Sequence, residues 1–239
     1  MHARVLESEI LDAYARIRGE ILEKIGELCA LWERGGEREI FSELVFCLLT
    51  PGSRARSAHK ALQALTETGL LYAGDAHEIS PHLNVVRFKN NKARRIVEAR
   101  NRFIGAREKG LRELLLAAGR TGEAGGDGAG TGSVRRMREW LVANVLGFGY
   151  KEASHFLRNV GFCGALADAN RPREVAILDR HVLKNLHALG LIGPVPESLS
   201  PKRYLEIEEV MNGYAGKIGI PLDHLDFVLW YRETGEVFK

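Results

Sequence analysis

The sequence predicts an all-α protein. Apolar residues recur at three- and four-residue steps along most of the chain. Strict two-residue alternation is nowhere sustained. Turn residues, such as Thr50-Pro51-Gly52-Ser53 and Gly69, stop one periodic stretch before the next begins.

The elements follow in chain order. Ile10, Ala13, Tyr14, Ile17, Ile21, Leu22, Ile25, Leu28 and Leu31 form one helical stripe. This long N-terminal helix is expected to pack against the C-terminal helices. Residues 39–49 repeat the pattern with Ile40, Leu44, Phe46, Cys47 and Leu48. Ser53 is a candidate N-cap for the next helix, which carries Ala58, Ala61, Leu62 and Leu65 and closes at Gly69. Further helices are expected over 89–105, 108–118, 134–146, 150–160, 180–189, 201–216 and 222–233. Residues 119–132 (GRTGEAGGDGAGTG) are half glycine, which predicts a flexible loop, because such a stretch buries too little apolar surface to offset its chain entropy. No internal repeat is visible.

Composition bounds the function. The 239 residues are 45% hydrophobic and 27% charged, the balance of a globular chain of one large or two small domains. No apolar run approaches the roughly 20 residues of a membrane span. The first 20 residues alternate charge with aliphatics and contain no secretory core, so a soluble intracellular protein is expected. Cys29, Cys47 and Cys163 are odd in number and widely spaced, and they form no C-x-x-C. That argues against a disulfide framework, a zinc ribbon and a four-cysteine iron–sulfur cluster, and the three are expected as buried small hydrophobes. The histidines form no H-E-x-x-H, so no zinc site is expected.

Charge is unevenly spread. Residues 87–112 hold ten basic side chains (Arg87, Lys89, Lys92, Arg94, Arg95, Arg100, Arg102, Arg107, Lys109 and Arg112) against Glu98 and Glu108. From Tyr204 onward the balance reverses, with seven acidic residues and three basic ones. A segment with that surplus suits a polyanion such as the nucleic-acid backbone, although a solvated helix face is the commoner meaning of such a run.

Two short segments carry chemistry. In Val145-Leu146-Gly147-Phe148-Gly149-Tyr150-Lys151, two glycines allow positive φ and close backbone approach between two amphipathic helices. A hairpin there turns amides outward beside a helix N-terminus, as phosphate binding requires, with Leu146 and Phe148 anchoring it in the core. A simple glycine helix cap fits the same pattern. Lys151 follows directly. It is either a solvated charge or, beside a phosphate and other cations, an amine able to lose its proton and attack carbon. In Ala176-Ile177-Leu178-Asp179-Arg180-His181, Asp179 stands at a helix N-cap. It is either a plain cap or a carboxylate aimed at a developing positive charge. Arg180 and His181 are candidate phosphate ligands.

Glycine hairpin, lysine and apolar-Asp-x-His together resemble the helix-hairpin-helix DNA glycosylase superfamily. Further segments narrow this: 41–50 (FSELVFCLLT), 86–88 with 91–100 (VRF, NKARRIVEAR), 151–161 (KEASHFLRNVG) and 229–239 (LWYRETGEVFK). These are similar to the archaeal-type 8-oxoguanine DNA glycosylase/AP lyase family over most of residues 39–239. The chain departs from it in three places. Leu146 stands where the hairpin often has proline, and 119–132 and about 163–172 look like insertions, the second lengthening the Lys151–Asp179 separation.

The resemblance implies a two-lobed helix-hairpin-helix architecture over 1–239, with the hairpin at about 141–156. It implies a nucleophile, Lys151, that attacks C1′ of the damaged nucleotide, and an Asp179 that stabilises the oxocarbenium-like transition state and helps orient or deprotonate the lysine. Trp230 is placed on one face of the extruded base, with Phe88 as candidate second face. Lys239 takes part in reading the oxidised base, and its carboxylate, Asp226 or a backbone carbonyl is the candidate acceptor for the N7 hydrogen that distinguishes 8-oxoguanine from guanine. Gly147, Gly149, Arg180, His181, Lys92 and Arg95 are the implied phosphate contacts. Such hairpins also hold a monovalent cation on main-chain carbonyls, here those of Leu146, Phe148 and Gly149. No cofactor is expected. The implied partner is double-stranded DNA with oxidised guanine, in the cytoplasm of a prokaryotic cell, with no membrane and no obligate protein partner. Two alternatives stand beside this: a related lyase for another damaged base or abasic sites, and a non-catalytic DNA-binding module.

Overall fold

The computed structural model describes residues 2–104, 109–120, 133–162 and 175–238. Among these residues all regular structure is helical, as the sequence periodicity predicts. The chain divides into two compact units, Met1–Cys29 with Gly161–Lys239, and Ala30–Val160. Among the described residues no helix is long and apolar enough to cross a membrane.

The Ala30–Val160 unit is built around α2 (Glu37–Leu49), whose residues from Ile40 to Leu49 are almost all buried. A helix apolar on every side belongs inside, with neighbours all round it. Those neighbours are α3 (Ala55–Glu67), α6 (Lys89–Phe103), α7 (Leu111–Arg120) and α9 (Tyr150–Asn159). One charged group is buried within α2, Glu43, and its carboxylate accepts from Asn159 Nδ2 at 2.7 Å. α8 (Ser133–Asn144) packs on α7 and α9. Two helical turns, α4 (Leu70–Ala73) and α5 (Ala76–Ile79), and a 3₁₀ turn (Ser80–Leu83) link α3 to α6. They are too short for a periodic pattern to reveal.

The other unit holds most of α1 (His2–Arg34), α10 (Arg180–Ala188), α11 (Pro201–Ile218) and α12 (Leu222–Thr234). Ile10, Ala13, Ile17, Ile21 and Leu28 of α1 are buried. The predicted packing on C-terminal helices is present. Tyr14 Oη bonds His224 Nδ1 at 2.9 Å, Arg232 pairs with Glu9 at 2.8 Å, and the Arg16 guanidinium lies 5.7 Å from the Tyr231 ring centre. Leu22, expected on the buried stripe, is exposed, because at one residue past Ile21 it has turned about 100° away.

Three further expectations are corrected. Ser53 does not cap α3; Arg54 is the N-cap, with no side-chain bond, and the Ser53 hydroxyl is engaged elsewhere. α7 runs on through Gly119 and Arg120, two residues into the expected loop, of which 121–132 lie outside the described residues. Cys47 is buried as expected while Cys29 is only half-buried; Cys163 and the segment 163–174 lie outside the described residues.

Candidate functional site

In the Ala30–Val160 unit the hairpin joins α8 to α9. The Val145 N–H still donates to Leu141 O at 2.8 Å, and Phe148 N–H closes the turn on Val145 O at 3.1 Å. Gly147 has φ +95°, and a Cβ there would fall 2.7 Å from the Arg95 side chain. Any other residue would strain the backbone and push Arg95 aside. Gly149 differs from the expectation. It is extended (φ −109°) and serves as the N-cap of α9. Phe148 is buried against Phe156, centroids 6.3 Å apart, but Leu146 is 57% exposed and anchors nothing, because the apex of the turn points it outward. Of the three carbonyls implied for a monovalent cation, Gly149 O already accepts the Ala153 N–H at 3.0 Å, so a cation would have to share it.

Lys151 lies in the first turn of α9, its side chain about a quarter exposed. Its Nζ is 2.9 Å from Glu152 Oε1. The other carboxylate oxygen of Glu152 accepts the Gly149 N–H at 3.2 Å. One residue therefore closes the helix N-terminus and holds the lysine. The sequence signal for Glu152 is its place three residues after the Gly149 N-cap, the usual capping-box position. Tyr150 donates its hydroxyl to the Glu139 carboxylate at 2.7 Å, and the Arg138 guanidinium lies 5.0 Å from its ring centre, tying α9 to α8 on either side of the hairpin.

The basic run behaves differently from the expected phosphate face. Lys92 is 1% exposed. Its Nζ donates to Leu49 O at 2.7 Å, Pro51 O at 2.9 Å and Ser53 Oγ at 3.0 Å. It therefore cannot be a phosphate contact: all three of its protons are spent on the end of α2 and the turn that follows. Burial, with Lys151 and Arg95 as neighbouring positive charges, pulls its pKa down to about 8. Arg100 is likewise committed, to Gly74 O at 2.7 Å, and Arg112 to Trp32 O and Gly35 O. Arg94 stays exposed, and Arg95 is half-exposed where it crosses Gly147. Phe88 is 63% exposed, with φ +60°, the one non-glycine residue at positive φ among those described.

In the other unit, buried Val175–Leu178 leads into Asp179. α11 fixes this strap. Tyr204 Oη donates to Ala176 O at 2.6 Å and accepts from Leu178 N at 3.2 Å, and Glu208 Oε1 accepts from Ala176 N at 2.8 Å. Asp179 then caps α10, its Oδ1 accepting from Val182 N at 2.8 Å. Tyr204 and Glu208 escaped the sequence reading. The available signal was a polar pair four apart flanking buried Ile207, a face that should be apolar.

Arg180 is exposed, whereas His181 is half-buried, edge-on to Trp230 with centroids 4.9 Å apart. His181 Nδ1 lies 3.5 Å from Glu233 Oε2, an ion pair only when the ring is protonated. Trp230 is half-buried, and its indole nitrogen is shielded without a hydrogen-bond partner among the described residues. Asp226 is buried on α12. Lys239 lies outside the described residues.

Comparison with known proteins follows the same lines. The family described as 8-oxoguanine DNA glycosylase matches residues 21–220. An 8-oxoguanine DNA glycosylase/AP lyase of Fusobacterium nucleatum is 40% identical over 232 residues, covering 97% of each chain. One from Korarchaeum cryptofilum is 34% identical, covering 97% of this chain and 98% of that one. Among solved structures, the 8-oxoguanine DNA glycosylase of Thermotoga maritima superposes with a TM-score of 0.79 at 30% identity, over the full length of both chains. The Methanocaldococcus jannaschii 8-oxoguanine glycosylase/lyase, solved with a 15mer DNA containing 8-oxoguanine, gives 0.78 at 28% identity, over 98% of this chain and 100% of that one.

Proposed function

The chain belongs to the 8-oxoguanine DNA glycosylase family, and from that premise we propose that it excises 8-oxoguanine from double-stranded DNA and then cleaves the strand 3′ to the lesion. The observation that carries the reading is the hairpin: a left-handed Gly147 crossed by Arg95, followed within four residues by a lysine amine held at a helix N-terminus.

The chemistry follows from the groups present. The target nucleotide leaves the stack, at a cost of a few kcal/mol, offset by stacking on aromatic faces. Trp230 and Phe88 supply those faces. Lys151 first passes a proton to the Glu152 carboxylate that holds it, since an ammonium has no lone pair. The amine then attacks C1′, the C1′–N9 bond breaks, and the base departs with its electron pair and takes up a proton. The sugar ring opens to a Schiff base between Nζ and C1′. Loss of a C2′ proton and breakage of the C3′–O bond completes β-elimination. Asp179, its charge supported by the α10 N-terminus, stabilises the positive charge that develops on the sugar. Arg95, Arg94 and Arg180 take phosphates, and Lys239 and Asp226 are the candidate readers of the N7 hydrogen. The enzyme works in the cytoplasm, on the cell's own DNA.

The test is a duplex with a single 8-oxoguanine beside one with guanine at the same position. Excision and strand cleavage on the first alone are expected. Cleavage only of a ready-made abasic duplex would reassign the protein as a lyase for another lesion. Binding without cleavage of any duplex would make it a DNA-binding module.

A further inference from the structure

A buried ammonium ordinarily faces a carboxylate. Lys92 instead meets three neutral acceptors, Leu49 O, Pro51 O and Ser53 Oγ. An ammonium has three N–H donors, so the set is complete. The acceptors also share a location: they are the end of α2 and the Thr50–Ser53 turn, closed by Ser53 N–H on Thr50 O at 2.9 Å.

That turn holds Arg87 and Phe88. Ser53 Oγ, bonded to Lys92, also accepts the Arg87 N–H at 3.0 Å. Gly52, at φ +66°, lies against the Phe88 ring so closely that a Cβ would be 3.2 Å from Cε2. On the far side, the Lys92 N–H donates to Phe88 O at 3.0 Å and starts α6. Phe88 is thus gripped before, beside and after its own left-handed backbone, while its ring remains mostly exposed. A phenylalanine does not hold that conformation unaided, and such conformations persist where the surroundings over-determine them.

We propose that Lys92 and Ser53, with Gly52, are positioning residues for Phe88, locking an exposed aromatic face in place before DNA arrives. The inference rests on the reading of Phe88 as one face of the base pocket. Its physical sense is preorganisation: a stacking platform already fixed loses no freedom on binding. It also explains why a lysine in a basic run is buried. Its charge serves the turn that carries Phe88 and takes no phosphate.

Ser53→Ala is the test variant, since it deletes the shared oxygen and little bulk. Two single-turnover rates are compared: excision from an 8-oxoguanine duplex, and cleavage of a ready-made abasic duplex, which offers no base to stack. Excision is expected to fall about tenfold further than abasic cleavage, as the loss of a stacking contact would. Ser53→Thr should recover most of it. Adding Ser53→Ala to Phe88→Ala should lower excision no further than Phe88→Ala alone. Equal loss of both rates, or losses that multiply in the double variant, would overturn the proposal. A parent protein that cleaves the abasic duplex but leaves 8-oxoguanine in place defeats the lesion reading, and with it this one, before any variant is made.

Discussion

The two units present their functional side chains by opposite means. In the Ala30–Val160 unit, Lys151 opens a helix directly after a hairpin with Gly147 in the left-handed region, and Phe88 is itself left-handed. Charged groups, Glu152 and Lys92, hold these bends. In the other unit, Asp179 ends a buried strap, turned at Leu178 by the Asp179 N–H on Ile177 O at 3.0 Å, that a neutral hydroxyl and one buried carboxylate pin to α11. Bent backbone costs stability and needs partners at every turn, whereas a strap needs only its amides and carbonyls satisfied. The first unit should therefore be the more sensitive to pH, and the second to loss of single hydrogen bonds.

The largest expected effect sharpens the chemical half of that contrast. Asp179→Asn keeps a good N-cap, because asparagine caps as well as aspartate. It removes the charge, so excision should fall on the order of 10²–10³-fold with little change in melting temperature. A comparable drop in stability would show that Asp179 is only a cap. The next effect concerns the strap. Tyr204→Phe leaves Ala176 O and Leu178 N without the hydroxyl, at a cost of about 1–3 kcal/mol in denaturant unfolding. No loss of stability would mean that the strap is held without it.

A third effect, in pH, most cleanly separates the units. Folding lowers the Lys92 pKa from 10.5 to about 8, so between these values the unfolded chain binds more protons. Stability from this group therefore rises as pH climbs from about 8 to 10.5, and is lost as pH falls back through 8. The unfolding free energy of the parent should rise relative to that of Lys92→Met across that window. A difference constant with pH would contradict the buried ammonium.

Most of the helices were legible in the sequence because each has its own apolar period; α4 and α5 were not, being a single turn each. The ends of the chemical segments were legible too, since Gly147, Lys151 and Asp179 stand at helix boundaries where residue type reports backbone geometry. What stayed hidden were partners distant in sequence. Lys92 reads as one more cation until Leu49 and Pro51, some forty residues away, are folded onto it. Tyr204 and Glu208 read as helix filler until the 176–178 strap crosses them. Leu146 reads as an anchor because spacing cannot show that a turn apex faces out.

Borohydride trapping tests the central claim most directly. The protein is reduced on a duplex with one 8-oxoguanine, beside guanine and abasic duplexes, as parent and as Lys151→Gln. A covalent adduct with the parent on the 8-oxoguanine and abasic duplexes but not on guanine, and none with Lys151→Gln on any duplex, is the expected result. An adduct that survives in Lys151→Gln would contradict the assignment of Lys151 as nucleophile.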